Sequence, residues 1–523
     1  MITVGFLIFI QTIRAGAVPQ LLAAHDCAIF YDAGWRAYCG SIPHIDFYSP
    51  LGPATYLYVA AGYCFFGLTV HSLAYMNAIT FVILLGITWY CLHGRISDFW
   101  LFWAALLVAL CSIAPHSLRF SIWELSYAML YNRQGNSLLI LLVLLLYCPH
   151  GTATERQFKV GSIVAGSVIS ILCFLKANFG MASVAAAFVY FIIERNRWVD
   201  FKYFILSFVL VSFAFVVYLK FDISAMQNDL SIAADAKSSY FLRYPRAHRL
   251  TFLASLAPVF VSFLLLCCGV FYLSKASPTI LTWRRMLKEL IIYTTISGLA
   301  MFIILSNSIW GYVEHPLLIA LGIIICSRFV PADSHILSRR LLKTWNSGGL
   351  LGACLILCTS VITLPYVGFD ILSVYISSMK IENPAVLESP EISDLTVGQG
   401  VYGTSFVRKT NDAVHLMSQY NLEGKSMMVL EFSTLIPFTL RIPSVGGCVF
   451  WDNYNNITKE SHPTPERTVQ NASYVLIPKF PENPQTSELL EACYLPYIKE
   501  HYHLLNESSE WVLWERAKPE SGK

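Results

Sequence analysis

The sequence predicts an all-α polytopic membrane protein of about eleven transmembrane helices, followed by a small C-terminal α/β domain that is soluble in water. Of the 523 residues, 56% are hydrophobic and only 13% are charged, whereas a soluble domain averages roughly 45–50% and about 25%. Long segments carry no side chain that is charged at neutral pH, among them residues 160–175, 204–219 and 252–273. Each approaches the roughly 20 residues that cross a bilayer. The net charge of +3 is too small to predict a nucleic-acid partner.

The apolar segments define the candidate spans. These are residues 2–24, 72–92, 98–114, 135–148, 160–176, 180–194, 203–219, 251–274, 287–306, 315–328 and 347–367. The first is interpreted as a retained helix, because it has neither the short basic start nor the small-residue cleavage site of a signal peptide. It begins at Met1 with no cytoplasmic lead, so a start further upstream is left open.

Basic residues between the spans predict the orientation of the chain, because cytoplasmic loops carry an excess of Lys and Arg. With the N-terminus inside, the short basic loops all fall inside. These loops hold Arg95, Arg156, Lys159, Arg195, Arg197, Lys202, Arg284, Arg285, Lys288, Arg339, Arg340 and Lys343. The solution requires that the apolar segment 51–67 does not span. Pro50, Gly52 and Pro53 at its start, with three tyrosines, suit a helix that lies at the outer interface.

The tail, residues 369–523, differs in character from residues 1–368, which form the predicted transmembrane domain. Short apolar runs in the tail alternate with polar and proline-rich segments, and residues 489–501 are typical of an amphipathic helix between two strands. The sequence therefore predicts a small α/β domain. In the orientation above, this domain is extracytoplasmic (periplasmic), and the transmembrane part lies in the inner (cytoplasmic) membrane.

The fourteen cysteines do not by themselves indicate a disulfide scaffold, because most lie in or beside apolar runs as small hydrophobic residues. Cys27, Cys39, Cys448 and Cys493 are the exceptions. In an oxidising periplasm, a bridge between Cys448 and Cys493 would tie the tail helix to its sheet across a loop of about 45 residues. Two buried free thiols are the alternative.

The first outer loop, residues 26–53, is the segment that most suggests chemistry. It carries Asp26 at the exit of the first helix, then a short amphipathic helix at 28–39 that ends at Gly40, a common type of helix stop. Asp32 and Asp46 are two further carboxylates at the outer membrane surface, where a lipid-linked substrate and a water-borne one can meet. An ordinary acidic loop facing the periplasm is the alternative on composition alone.

This loop resembles the first loop of the GT-C membrane glycosyltransferases, particularly family 39 and its relatives, which include the lipid A aminoarabinose transferase and the protein O-mannosyltransferases. Many relatives carry an Asp-Glu pair at the exit of helix 1, then a helix, then Gly-x-x-Pro-Tyr-x-Asp, then a proline-rich interfacial helix. Asp26 matches the first acidic position, and Gly40, Pro43 and Asp46 match at the expected spacing.

Departures from the family pattern leave the sugar, the acceptor and any metal open. Cys27 stands where Glu is usual, His44 stands where Tyr is common, and Ser-Pro-Leu-Gly-Pro at 49–53 replaces an acidic or lysine-bearing Pro-Pro motif. Weaker echoes of the family occur at 131–135 and 176–180. Both fall at outer helix ends, on the same side as Asp26.

The resemblance implies transfer of a hexose or pentose from a polyprenyl-phosphate donor to a glycan, lipid or protein acceptor at the outer face of the membrane. Such a reaction needs a base for the acceptor proton and cations for the departing phosphate. Asp26 is the candidate base. Asp46 is a second acid that orients the acceptor or holds a divalent cation, and no other cofactor is expected.

Lys176 and Arg133 are the candidate partners of the donor phosphate, since Arg can grip phosphate with two parallel hydrogen bonds. The alternative for Lys176 is a helix-end lysine that snorkels to the interface, and the alternative for Arg133 is a loop ion pair with Glu124. Glu314 and His315 follow Trp-Gly-Tyr in another outer loop and are candidates to line the site.

A multi-pass transporter or flippase of lipid-linked or small-molecule substrates is the alternative function, and a structural or sensory protein that acts through its tail is a third. Transporters usually show repeated halves and broken midplane helices with ionisable residues. This chain instead concentrates its polar features at one membrane face. The sequence has no P-loop, dinucleotide fingerprint or zinc-ligand spacing.

Overall fold

The computed structural model describes residues 1–115, 123–149, 151–193, 198–243, 283–307, 316–329, 364–469 and 472–517, with isolated residues between 257 and 268. In these residues the predicted all-α N-terminal part is confirmed. Its helices are α1 (Ile2–Ala15), α2 (Ala24–Tyr38), α3 (Pro53–Phe66), α4 (Ser72–Leu92), α5 (Asp98–Ile113), α6 (Leu130–Tyr147), α7 (Glu155–Leu175), α8 (Ala177–Ile193), α9 (Trp198–Tyr218), α10 (Ile223–Arg243), α11 (Trp283–Asn307), α12 (Pro316–Phe329) and α13 (Leu364–Ile376).

Within the described residues, four helices are long and apolar enough to cross a membrane by length and composition. These are Ser72–Leu92, Glu155–Leu175, Phe201–Tyr218 and Met286–Asn307. Several shorter helices are also apolar, including α1, α5 and α8. The predicted spans 251–274 and 347–367 lie largely outside the described residues, so the total of about eleven spans stays a prediction.

The first helix is shorter than the span 2–24, and that prediction is wrong at its end. α1 stops at Ala15, where Gly16 turns the chain with φ 61°. Pro19 lacks the N–H that a continuing helix needs and disfavours helical geometry in the residue before it. Gln20 instead donates its backbone N–H to the carbonyl of Thr396 in the tail, at 2.8 Å. Likewise α2 begins before residue 28, so that Asp26 lies in its first turn rather than at the exit of α1.

The first loop is fastened to the end of α7. As predicted, Gly40 follows the end of α2, and its φ of 88° suits glycine. Gly52, just before α3, donates its N–H to the carbonyl of Leu175 at 3.0 Å. A Cβ at Gly52 would clash with the carbonyl of Phe174, so only glycine permits this approach. The contact places the loop beside Lys176, the residue that follows α7.

The tail contains the predicted small α/β domain. Its helices are α14 (Val401–Met417), α15 (Ile436–Leu440), α16 (Pro465–Val469) and α17 (Pro484–His501), and its strands are β1 (Met427–Val429), β2 (Tyr474–Pro478), β3 (Tyr502–Glu507) and β4 (Trp511–Arg516). The strand order is β1-β2-β4-β3, with β1 parallel to β2 and the other pairs antiparallel. The predicted helix at 489–501 lies within α17, which connects β2 to β3.

The tail and the first loop share one hydrophobic cluster, to which α2, α3 and residues of the tail contribute. Trp35 donates its indole N–H to the carbonyl of Ile442 at 2.7 Å, and Arg36 Nη1 donates to the carbonyl of Gly446 at 2.6 Å. The tail is thus docked directly on the loop that carries the candidate base. The predicted boundary between residues 368 and 369 falls inside α13 and stays a prediction.

Both tail cysteines are free thiols in the structure. Cys448 is buried, and its Sγ donates to the carbonyl of Phe450 at 2.9 Å. Cys493 lies partly exposed on α17. Of the two sequence-based alternatives, the structure has the pair of free thiols rather than the bridge.

Candidate active site

Asp26 lies in the first turn of α2, where the N-terminus of the helix favours a negative charge. Its side chain is 15% exposed, and its Oδ1 lies 3.6 Å from His25 Nε2. Burial raises the pKa of Asp26, and the charge of His25 opposes that rise. A carboxylate with a raised pKa is a stronger base than an exposed one, which suits the removal of a proton from a hydroxyl group.

A segment of the tail covers the start of α2. Ser433 donates its hydroxyl to the backbone carbonyl of His25 at 2.5 Å. The ring of Phe432 meets the His25 ring edge-on, with centroids 5.1 Å apart. The carbonyl of Phe432 in turn accepts the N–H of Trp451 at 2.8 Å. These contacts bring Asp452, the residue after Trp451, to the Asp26 side of the tail.

Asp452 is a second carboxylate in this region. Asn455 donates to its Oδ2 at 2.9 Å, and its Oδ1 has no hydrogen-bond partner among the described residues. Burial raises the pKa of Asp452 to about 6, and the negative charge of Asp26 adds to the rise. Asn455, Lys237 and His25 act in the opposite direction. Asp452 is therefore close enough to Asp26 and to Lys237 for both charges to act on it.

Lys176 lies between α7 and α8, at the centre of a polar cluster. Its Nζ donates to Asn132 Oδ1 at 2.9 Å and to Asn307 Oδ1 at 2.8 Å. The same Nζ lies 5.0 Å from the centroid of the Tyr131 ring. Asn178 also donates to Asn307 Oδ1, at 2.7 Å. The segments 131–135 and 176–180, singled out from the sequence, thus meet at this lysine.

Lys237 lies on α10, near Lys176, and the two positive charges interact. Its Nζ donates to the backbone carbonyl of Ser306, the neighbour of Asn307. Burial lowers the pKa of Lys237 to about 8, and Asp452 opposes this shift. Among the described residues, neither lysine forms an ion pair with a carboxylate. Two neighbouring ammonium groups of this kind suit a phosphate ligand.

Arg133 uses its guanidinium group to hold a loop together. Its Nη2 donates to the carbonyls of Ser126 at 3.1 Å and Ala128 at 3.0 Å, and its Nη1 donates to the carbonyl of Ala114. The side chain is only 3% exposed. A phosphate could reach this guanidinium group only if some of these contacts were given up.

Asp46 lies in a turn of the first loop. It is exposed, and its Oδ2 accepts the N–H of Ile42 at 2.7 Å, which closes a tight turn. Ile42 packs against Phe174 and Leu219 at the ends of α7 and α9. The Asp46 and Asp26 carboxylates share no hydrogen-bond or ion-pair partner among the described residues.

Asp32, the third carboxylate of the first loop, forms a buried ion pair. Its Oδ2 accepts from Arg36 Nε at 2.7 Å, and the two side chains are 0% and 2% exposed. Burial raises the pKa of Asp32, and Arg36 opposes the rise. Because Arg36 also contacts the tail, this pair anchors α2 rather than facing a substrate.

The predicted lining residues Glu314 and His315 lie outside the described residues. In the part of the chain that the structure describes, no group of three or more His, Cys, Asp or Glu side chains is arranged to hold a metal ion. The divalent cation proposed from the sequence therefore stays a prediction for Asp46.

An apolar groove of about 520 Å³ follows one face of α8, from Cys173 at the end of α7 to Phe188. Its lining side chains recur every three or four residues, as one face of a helix requires. They are Cys173, Ala177, Gly180, Met181, Val184, Ala185 and Phe188. Met181, Val184 and Phe188 are 57%, 49% and 67% exposed. The groove is thus an open apolar surface suited to lipid.

Sequence reasoning missed Lys237, Asn307 and Asp452 as site residues. Lys237 lies in the segment 220–250, which the orientation had placed on the outer side together with Asp26. This shared side of the membrane is the feature of the sequence that could have identified Lys237 as a candidate site residue. Asp452 opens a polar run, Asp-Asn-Tyr-Asn-Asn, directly after an apolar one. Nothing in that pattern indicates that it meets a residue more than 400 positions earlier.

No family model matches the chain, and no curated protein matches it. Two similar solved structures are of ArnT from Cupriavidus metallidurans. The one bound to undecaprenyl phosphate has a TM-score of 0.45 and 13% identity, and the alignment covers 100% of this chain and 98% of that chain. The apo state has a TM-score of 0.43 and 14% identity, covering 98% and 97%. Both are GT-C glycosyltransferases, the superfamily that the first loop resembles.

Proposed function

We propose that the protein is a membrane glycosyltransferase that moves a sugar from a polyprenyl-phosphate donor to a hydroxyl acceptor on the outer face of the membrane. The observation that carries the proposal is a connected set of charged side chains, in which the Asp452 loop of the tail packs over the start of α2 beside Asp26, and Lys237 and Lys176 lie near one another without an ion pair to a carboxylate among the described residues. The acceptor is a glycan, a lipid or a protein.

The proposed transfer is a direct displacement at the anomeric carbon. Asp26 takes the proton of the acceptor hydroxyl as its oxygen forms a bond to that carbon. The bond from the anomeric carbon to the phosphate oxygen breaks, and its electron pair stays on the phosphate. The polyprenyl phosphate that leaves gains negative charge, which fixed cations stabilise.

Lys176 is our proposed partner for the departing phosphate, and Lys237 stands beside it as a second cation. Neither lysine forms an ion pair with a carboxylate among the described residues, so both ammonium groups can bind a phosphate. Arg133, also predicted for this role, would have to release a loop carbonyl to take part. Asp46 stays a proposal as the acid that orients the acceptor.

The groove along α8 suits the polyprenyl chain of the donor. Its apolar lining includes Cys173 and Ala177, which lie on either side of Lys176 in the sequence. A lipid lying in this groove would present its phosphate to Lys176 while its chain stays in the apolar phase. This arrangement places the reacting carbon at the membrane surface, where a polar acceptor can approach.

The enzymatic test uses the full-length protein in nanodiscs and a panel of polyprenyl phosphates, each linked to one radiolabelled hexose or pentose. We expect one donor to lose its label to a lipid, glycan or peptide acceptor, with release of polyprenyl phosphate. If reconstituted vesicles move intact donor across the membrane and no sugar is released, the transporter alternative is favoured instead.

Lys176→Gln should weaken the binding of undecaprenyl phosphate roughly 10- to 100-fold, because a charge-assisted hydrogen bond to the phosphate is lost. Lys237→Gln should act in the same direction. Binding of uncharged undecaprenol should change little, and native mass spectrometry in nanodiscs can measure both lipids.

The matched control for this prediction is Lys159→Gln at the opposite end of α7, where Lys159 pairs with Glu155 at 2.7 Å. It should leave binding of undecaprenyl phosphate unchanged. If Lys176→Gln weakens the alcohol and the phosphate equally, Lys176 supports the fold rather than the phosphate.

The orientation is tested by reporter fusions after residues 95, 200 and 400. Because basic loops stay in the cytoplasm, we expect a cytoplasmic signal at 95 and 200 and an outer signal at 400. A cytoplasmic signal at 400, or an outer one at 200, contradicts the proposed location of the site.

A further inference from the structure

The loop that carries Asp452 is fixed in the tail, because Trp451 and Ile457 on either side of it belong to one hydrophobic core cluster of the tail. Trp451, the residue before it, is fully buried in the tail and stacks on Tyr48 of the first loop, with centroids 5.8 Å apart. Tyr48 in turn donates its hydroxyl to the carbonyl of Asn456 at 2.5 Å. The loop is therefore clamped on both sides of Asp452 by the segment that also contains Asp26.

A third element meets this loop. Ser461 donates its hydroxyl to the carbonyl of Ile232 on α10, at 3.5 Å, and Ile232 packs against the cluster that contains Trp451. Lys237 lies five positions further along the same helix. The charges of Asp26 and His25 on α2 and of Lys237 on α10 therefore all act on Asp452.

We propose that Asp452 is an acceptor-binding residue of the active site, so that the tail supplies one of the two carboxylates that hold the acceptor hydroxyl. This inference rests on the proposed function. In it, the free Oδ1 of Asp452 accepts the hydrogen bond of the incoming hydroxyl and turns its oxygen toward the donor. Asp26 then receives the proton as the new bond to the anomeric carbon forms and the bond to phosphate breaks.

The chemistry of the loop supports a ligand role over a purely local one. If Asp452 only stabilised its own loop, one carboxylate oxygen would be enough, and Asn455 already donates to Oδ2 at 2.9 Å. The second oxygen stays without a partner among the described residues, although burial penalises an unpaired charge. Lys237 nearby offsets part of that cost and keeps Asp452 ionised near neutral pH, which is the form that accepts a hydrogen bond from a hydroxyl.

The proximity of two carboxylates can be detected from their ionisation, without measuring enzyme turnover. Each negative charge makes the other harder to form, so removing Asp26 should let Asp452 ionise at lower pH. A carbodiimide with glycine ethyl ester reacts with protonated carboxyl groups. Labelling of the Asp452 peptide, mapped by mass spectrometry from pH 4.5 to pH 8, therefore follows its protonation.

In the full-length wild-type protein we expect half-maximal labelling of Asp452 near pH 6. In Asp26→Asn the midpoint should fall by roughly one pH unit, because one negative neighbour is gone. Glu460, exposed on the same stretch of the tail, is the internal reference and should label alike in both proteins. Identical midpoints for Asp452 in the two proteins overturn the inference.

A kinetic measurement separates this inference from the proposed function. With whichever donor of the radiolabelled panel is cleaved, Asp452→Asn should raise the KM for the acceptor roughly 10-fold or more and change the KM for the donor far less. Glu460→Gln should change neither. If the wild type transfers sugar and Asp452→Asn raises neither KM, or both alike, only the role of Asp452 fails. If the wild type transfers no sugar from any donor, the proposed function fails.

Discussion

Asp26→Asn should lower the rate of sugar transfer about 100-fold or more, the usual cost of removing a general base. Asparagine keeps the shape of the side chain and its place in the first turn of α2, but it cannot accept the proton of the acceptor hydroxyl. Binding of undecaprenyl phosphate should be retained, because Lys176 and Lys237 are unchanged. The measurement is the single-turnover rate with the donor that the panel identifies.

The pH dependence gives the same prediction a second readout. Asp26 works in its ionised form, and burial raises its pKa. Activity of the wild type should therefore rise with pH through a pKa above the ordinary 3.8 of an aspartate. The residual rate of the Asp26→Asn variant should not show this rise with pH.

Asp98→Asn is the matched control, since Asp98 also lies in the first turn of a helix, on the exposed surface of α5. It should transfer sugar at the wild-type rate. Near-normal transfer by well-folded Asp26→Asn would contradict the assignment, and Asp46 would then be the first candidate for the base.

Asp32→Asn should destabilise the docking of the tail by roughly 3–5 kcal/mol, the usual cost of breaking a buried ion pair from one side. The guanidinium of Arg36 is 2% exposed and cannot lose its proton, so it would be left as an uncompensated charge. Because Arg36 also donates to Gly446, we expect the tail to open more often. Susceptibility of residues 378–400 to protease reports this opening.

The control is another pair at the same i, i+4 spacing, Glu155 and Lys159 on α7. Glu155 is 79% exposed, and water screens such pairs, so Glu155→Gln should leave protease susceptibility unchanged. The double variant Asp32→Leu/Arg36→Met removes both buried charges and should be less destabilised than Asp32→Asn. Equal susceptibility of Asp32→Asn and Glu155→Gln would show that the buried pair is not an anchor.

Several local features could be predicted because they depend on neighbouring residues. The span 72–92 matches α4, and Gly40 ends the helix of the first loop as its position indicated. The end of α1 was missed, although Pro19 is visible in the sequence. The apolar run through residue 24 outweighed that proline in the prediction, whereas the structure uses residues after Gly16 to join the tail.

The candidate site could be predicted only in part. Asp26 was predicted from its match to the family position in the first loop, and Lys176 from its place at an outer helix end on the same side as Asp26. Arg133 was chosen for the same reason, but its guanidinium proves to hold three backbone carbonyls of a loop. Whether a buried cation is free to bind a ligand depends on whether the backbone carbonyls of another segment lie beside it, and the local sequence does not show this.

The sequence by itself determined that this chain is helical and apolar over most of its length and that a small sheet with helices follows near its C-terminus. These properties follow from composition and from local periodicity, which act over a few residues. Only the tertiary structure decided that Asp452 and Lys237 join Asp26 and Lys176. Their meeting depends on how the tail and α10 pack on the first loop, and long-range packing of this kind leaves no periodic signal in the chain.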